Sequence, residues 1–197
     1  MDRGVPTVHD TQTATQLLRA SRGGSREALD GLFSLLYDEL RRIAHRQLGA
    51  QAGDRTLNTT ALIHEAYLRM VDQTQVDWND RPRFFAYAAR TMRAIIVDYA
   101  RRRCAGKRGG RLPHISFEDS DLPVETQAEV IVAVDEALTR LAELSDRLSR
   151  IVECRFFGGM SLDETAAALS ISDRTVRRDW IKAKAWLYGE LWGEASA

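Results

Sequence analysis

SLDETAAALSISDRTVRRDWIKAKAWL, residues 161–187, is the stretch on which the reading of the whole chain turns. Ser161 and Glu164 have the spacing of a capping box, in which hydroxyl and carboxylate each satisfy an orphan backbone N–H at a helix start. Leu162, Ala166 and Leu169 then share one face, and Ala166, Ala167 and Ala168 are small enough for a second helix to cross closely. Ser170, Ile171 and Ser172 interrupt the pattern, with Ile171 read as a buried plug and Ser172 as the N-cap of the next helix. Such turns usually carry glycine, so Ser170 must tolerate any left-handed conformation there. The second helix places Val176, Trp180, Ala183 and Leu187 on its apolar stripe, while Arg174, Thr175, Arg177, Arg178 and Lys182 project away from it. Five basic residues fall between Arg174 and Lys184 against Asp179 alone, more than solubility asks for. This is a helix-turn-helix whose second helix is cationic on its free face, as entry into a DNA major groove requires. The other reading of these two helices is a helical hairpin with a solvated basic face.

Upstream, Val130, Val134, Leu138 and Leu141 give a helix over 128–144, continued from Asp146 to Phe157 through Leu148, Ile151, Val152 and Phe156 and closed by Gly158 and Gly159. Residues 109–127 combine Gly109, Gly110, Pro113 and Pro123 with a cluster of acids and read as a flexible acidic linker. Before it, Arg83 to Arg108 is helical, with Pro82 as a first-turn proline and Met92, Ile95, Ile96 and Tyr99 able to face a core. Phe84, Phe85 and Tyr87 alternate there with Arg81, Arg83 and Arg90, followed by Arg93 and the cationic run Arg101, Arg102, Arg103, Lys107 and Arg108. Aromatic faces beside guanidinium groups suit unpaired bases, since stacking contributes roughly 1–3 kcal/mol per base. Core aromatics with a charge complement at a helix C-terminus fit the same residues. Two further helices are expected over 26–48, striped by Leu29, Leu32, Phe33, Leu36, Leu40, Ile43 and Ala44, and over 58–71. A short one fits 11–18. No strand period occurs, so the fold class is all-α: a helical domain at 11–108, the linker at 109–127, and a smaller helix-turn-helix domain at 128–192.

Length and composition agree with that division. A chain of 197 residues with 44% hydrophobic content can build one core or two small ones. The net charge is zero, yet Arg81–Arg111 holds ten Lys or Arg against Asp98 alone, and Leu112–Thr139 holds seven acids and no Lys or Arg. Such segregation points to a polyanion-binding surface with an acidic connector elsewhere. Cys104 and Cys154 are too few for a disulfide framework or a four-ligand zinc site, and reduced thiols in a cytoplasm are the expectation. The first ten residues have no apolar signal core and no run is long enough to span a membrane, so neither export nor membrane insertion is expected. His9, His45, His64 and His114 share no metal-ligand spacing, which argues against a metal-dependent hydrolase; neither a metal nor another cofactor is expected.

Taken together, residues 25–192 resemble a bacterial RNA polymerase sigma factor of the sigma-70 family, extracytoplasmic-function (ECF) subfamily. TALIHEAYLRM (60–70) is similar to the family's polymerase-clamp helix, FFAYAARTMRAIIVDYARRR (84–103) to its promoter-melting helix, and Thr175–Leu187 to its −35 reader, all in the family's order. The resemblance implies a transcription initiation factor, not an enzyme, whose partners are core RNA polymerase (clamp and flap) and promoter DNA. Leu62, Ile63, Glu65 and Tyr67 would then meet the clamp. Phe84, Phe85, Tyr87, Arg90, Arg93, Arg101, Arg102 and Arg103 would take the −10 element, and Arg174, Thr175, Arg177, Arg178 and Lys182 the −35 element. Where the family has an acidic lead into the clamp helix, this chain has Asn58, Thr59, Thr60 and Ala61, with no carboxylate before Glu65. Phosphorylation of Thr59 or Thr60 by a Ser/Thr kinase would restore the missing charge at a helix N-terminus; Thr59 as a simple N-cap is the alternative. An anti-sigma factor is a further expected class of partner. A stand-alone helix-turn-helix regulator, binding duplex DNA as a dimer without polymerase, is the competing function.

Overall fold

Among the described residues five helices begin on a side chain that accepts a hydrogen bond from the backbone three residues on, so much of the architecture is punctuated by local chemistry. Ser25 accepts from the Ala28 N–H at 3.2 Å, Asn58 from Ala61 at 2.9 Å, Asp80 from Arg83 at 2.9 Å, Ser161 from Glu164 at 3.1 Å and Ser172 from Thr175 at 3.2 Å. The computed structural model describes residues 8–22, 25–48, 58–72, 80–105 and 124–193. In chain order these form α1 (Val8–Arg22), α2 (Arg26–Leu35), α3 (Tyr37–Leu48), α4 (Thr59–Val71), α5 (Arg81–Cys104), α6 (Val124–Val152), a π-helical turn (Glu153–Phe157), α7 (Leu162–Leu169) and α8 (Asp173–Trp192). Among the described residues there is no strand, and the fold class is all-α.

Three boundaries differ from expectation. The helix expected over 26–48 is divided at Leu36, which leaves helical geometry at φ −104° and ψ 16° while its N–H still reaches the Leu32 carbonyl at 2.9 Å. The stripe survives the kink, because Leu32, Leu36 and Leu40 are all buried. A second kink falls at Ser145 (φ −164°, ψ 101°), dividing α6 between the two apolar runs read from the sequence. The start of α6 at Val124 takes in 124–127, residues without Gly or Pro that the linker reading had included; the rest of that linker, 109–123, lies outside the described residues.

The first core joins α2 to α5: Leu29, Leu32, Phe33, Leu40, Leu62, Met70, Phe84, Met92 and Ile95 are its larger members. Gly31 lets α1 approach, since a Cβ there would stand 3.2 Å from the Leu17 side chain. A second core, Val134, Leu138, Leu141, Val152, Ala183 and Leu187, binds α6 to α8. A third cluster, Cys154, Met160 and Ala168, packs against Ala86 of α5. Burial pushes the Cys154 thiol up to about 12, helped by the neighbouring Glu153 carboxylate and opposed by Arg150, so it is an inert core group. The long α5 therefore touches both the N-terminal helices and the helix-turn-helix.

Candidate nucleic-acid interface

The helix-turn-helix is built as its residues require. Ser161 and Glu164 form the full capping box, with the Glu164 carboxylate accepting the Ser161 N–H at 2.7 Å. Ser170 adopts φ 55° and ψ 44°, the one non-glycine residue with positive φ among the described residues. The strain is offset by the turn it closes: Ile171 N–H bonds the Ala166 carbonyl at 3.0 Å and Ser170 N–H the Ala167 carbonyl at 3.2 Å. Ile171 is half-buried rather than a fully buried plug. Val176, Ala183 and Leu187 seat α8 on the core, and half-buried Trp180 has the Arg155 and Lys184 cations over its ring at 5.6 and 5.5 Å.

On the opposite face Arg174, Arg177, Arg178 and Lys182 are all exposed. Thr175 is half-buried and its N–H and hydroxyl are both engaged with Ser172, so it holds the helix start rather than standing free. Asp179 does not lie on this face. It is 1% exposed and accepts from Arg147 Nε at 2.8 Å and Arg178 Nε at 2.9 Å, which ties α8 to α6 and fixes one arginine of the free face. Burial alone would raise its carboxyl; the hydrogen bonds and charges of Arg178 and Arg147 outweigh that and hold it below the usual carboxylate range. Stability from this depressed group is present at neutral pH and is lost as pH falls through its folded-state pKa. Asp179→Asn is expected to flatten the acid limb of the stability–pH curve, measured by thermal melts between neutral and acid pH.

Along α5 the expected DNA residues separate into two groups. Arg90, Arg101 and Arg102 are exposed, and Phe85 and Tyr87 are half-buried, with the Arg81 guanidinium 5.5 Å from the Phe85 ring centre. Phe84 is fully buried, edge-to-face with Phe33 at 5.8 Å, so it is a core residue and cannot stack on a base. Arg93 is also buried, its two terminal nitrogens held by Asp135 at 2.5 Å and Glu153 at 2.6 Å. The side chain of Arg103 lies outside the described residues.

On α4, Leu62 and Ile63 are packed into the first core, which corrects the expectation that they meet a partner directly. Tyr67 donates its hydroxyl hydrogen bond to Asp30 and stands edge-on to Phe33, and Glu65 pairs with Arg69 at 3.0 Å. What α4 offers outward is Thr60, His64 and Leu68 beside half-buried Glu65. Asn58, not Thr59, is the N-cap, and the first turn of α4 holds no acid, with Thr59 half-buried and Thr60 exposed.

Sequence reasoning missed Asp135, Glu153 and Arg147, the partners of Arg93 and Asp179. The acid-only run ending at Thr139, which follows the basic run of α5 in the sequence, was the signal for the first of these. Among the described residues no cluster of His, Cys, Asp or Glu could hold a metal ion, and no helix is long and apolar enough to cross a membrane. A family model described as ECF sigma factor matches residues 11–193. No curated protein matches the chain significantly.

Proposed function

The chain belongs to the ECF sigma factor family, and from that premise we propose that it binds core RNA polymerase, directs it to specific promoters and helps melt the −10 region. Membership makes it a transcription initiation factor and not an enzyme. In our reading residues 11–108 form the polymerase- and −10-binding domain, 109–123 a linker, and 124–192 the −35-binding domain, with a cytoplasmic location. The observation that carries the reading is the free face of α8, where Arg174, Arg177, Arg178 and Lys182 stand exposed on a helix anchored through Val176, Ala183 and Leu187. Guanidinium forks at this position suit guanine edges and phosphates in a major groove.

The exposed edge of α4 would meet the polymerase clamp, and the helix-turn-helix the flap. Half-buried Phe85 and Tyr87, with Arg90, Arg101 and Arg102, would hold the opened non-template strand, whose unstacking costs a few kcal/mol per step. Footprinting on a promoter tests the division: protection of −35 and −10 together is expected only when core polymerase is present. Protection by the chain alone would instead favour a stand-alone regulator.

The acid-free first turn of α4 supports control by a Ser/Thr kinase. A phosphate on exposed Thr60 or half-buried Thr59 would add about −1.5 to −2 charge at a helix N-terminus. An anti-sigma factor covering the exposed faces of α4 or α8 is a second route of control. Thr59→Glu together with Thr60→Glu is expected to raise core-polymerase affinity several-fold, read in a pull-down on immobilised polymerase. Unchanged binding would remove the phosphorylation proposal.

A further inference from the structure

Two guanidinium groups expected from the sequence to take the −10 element, those of Arg93 and Arg101, are occupied in this structure by the chain's own carboxylates. Asp135 accepts from Arg93 with one oxygen and from Arg101 with the other, the latter at 3.0 Å, while Glu153 takes the second terminal nitrogen of Arg93. Both acids belong to the C-terminal half, Asp135 on α6 and Glu153 at the start of the π-helical turn, and both arginines to α5. A carboxylate bridging two guanidinium forks presents the same charge and acceptor geometry as a backbone phosphate.

The rest of the junction fits the same purpose. Arg83 of α5 donates to Ser170 in the helix-turn-helix turn at 2.8 Å. From α3, Arg46 donates to the Gly158 carbonyl at 3.2 Å and Gln47 to the Phe157 carbonyl at 3.2 Å, and the Arg93 cation lies 5.1 Å from the Phe157 ring centre. Gly159, at φ 61°, leaves the space that the Arg46 guanidinium fills: a Cβ there would stand 0.9 Å from Arg46 Nη1. Apolar contact crosses it as well: Ala86 of α5 lies against the cluster of Cys154, Met160 and Ala168, and Ile131 of α6 packs, partly buried, against the first core. A junction whose side-chain hydrogen bonds are ion pairs and carbonyl contacts, with Ala86 and Ile131 packed beside them, resembles the polar interfaces along which domains separate.

Its geometry excludes promoter engagement. The −10 and −35 elements lie about 25 base pairs apart, on the order of 80 Å along a duplex at 3.4 Å per step. A chain whose α5 touches the helix-turn-helix turn cannot reach both. Resting on the reading of α5 as the promoter-melting helix, we propose that Asp135 and Glu153 act as internal stand-ins for nucleic-acid phosphate. They hold the free chain closed and keep Arg93 and Arg101 from single-stranded DNA until the two halves part. Nucleic acid and the C-terminal half then compete for one surface. Salt weakens both interactions, so ionic strength alone does not discriminate between them.

The test uses the full chain without polymerase and a labelled single-stranded 20-mer of mixed sequence. Asp135→Asn with Glu153→Gln keeps size and hydrogen-bonding capacity but removes the charge, and Glu136→Gln with Glu143→Gln makes the same charge change at exposed positions. The junction variant is expected to bind the oligonucleotide roughly five- to a hundredfold more tightly than wild type, with a larger radius of gyration in solution scattering. The control is expected to gain less than about threefold, the effect of net charge alone. Gly159→Ala, which forces Arg46 aside without altering charge, is expected to move both readouts in the junction variant's direction, with helix content by circular dichroism unchanged. A junction variant that stays compact and binds no better than the control overturns the proposal. Run-off transcription by the wild-type chain on core polymerase, in parallel, separates the failures. Initiation with an unresponsive junction variant sinks only the closed state, whereas no initiation removes the DNA role of α5 on which it rests.

Discussion

Replacing Phe84 with alanine is expected to lower the stability of the chain by about 3–5 kcal/mol, the usual cost of emptying a buried aromatic site. Its ring is fully buried, edge-to-face with Phe33 at 5.8 Å and with Phe85 at 5.7 Å, at the junction of α2 and α5. Chemical denaturation should show the midpoint falling, and transcription should fall only with the folded fraction. Phe85→Ala separates packing from recognition: the ring is half-buried, so its stability loss should be smaller and any melting defect should persist at full folding. A Phe84→Ala chain of wild-type stability with a selective melting defect would show that the ring is not the core residue described above.

The second large effect is expected at the −35 element. Arg174→Ala with Arg177→Ala removes two exposed cations from α8, neither of which is structurally tied except for a 4.0 Å pairing of Arg177 with Asp173. At about 1–3 kcal/mol per specific base contact, about 2–6 kcal/mol for the pair, promoter affinity of the polymerase complex should fall roughly 30- to 20,000-fold, with an unchanged melting temperature. Arg178→Ala is a less clean test, because its side chain also holds Asp179 and hence α6. Gel-shift titration of the reconstituted polymerase complex on a promoter fragment and on a −35-scrambled fragment measures the effect. Equal loss on both fragments would mean phosphate contacts only; no loss on either would remove α8 as the reader.

What could be read in advance follows from what is local. The capping box at Ser161, the N-cap at Ser172, the first-turn Pro82 and the apolar stripe of α8 are interactions within a few residues, and each stands in the structure as its spacing implies. The left-handed Ser170 was legible too, because a helix-turn-helix turn demands that conformation of whichever residue occupies it. Burial within one amphipathic helix was harder. Leu62 and Ile63 look like recognition residues only while nothing says which side of α4 packs on α5, and Phe84 and Phe85 cannot be told apart by composition although one is core and the other an edge. Charges were hardest of all. Asp179 sits among basic residues in the sequence but points inward to Arg147, 32 residues away, and Arg93 finds its acids 42 and 60 positions on. Long-range ion pairs leave no periodic mark; only the segregation of basic α5 from the acidic run after it hinted that the two would meet.

Run-off transcription with purified core RNA polymerase over a small promoter library tests the central claim most directly. Addition of this chain should yield RNA from a defined start site on a subset of promoters, while core polymerase alone yields none. Absence of initiation on every promoter, together with tight polymerase-independent binding to duplex DNA, would contradict the account and leave a stand-alone helix-turn-helix regulator in its place.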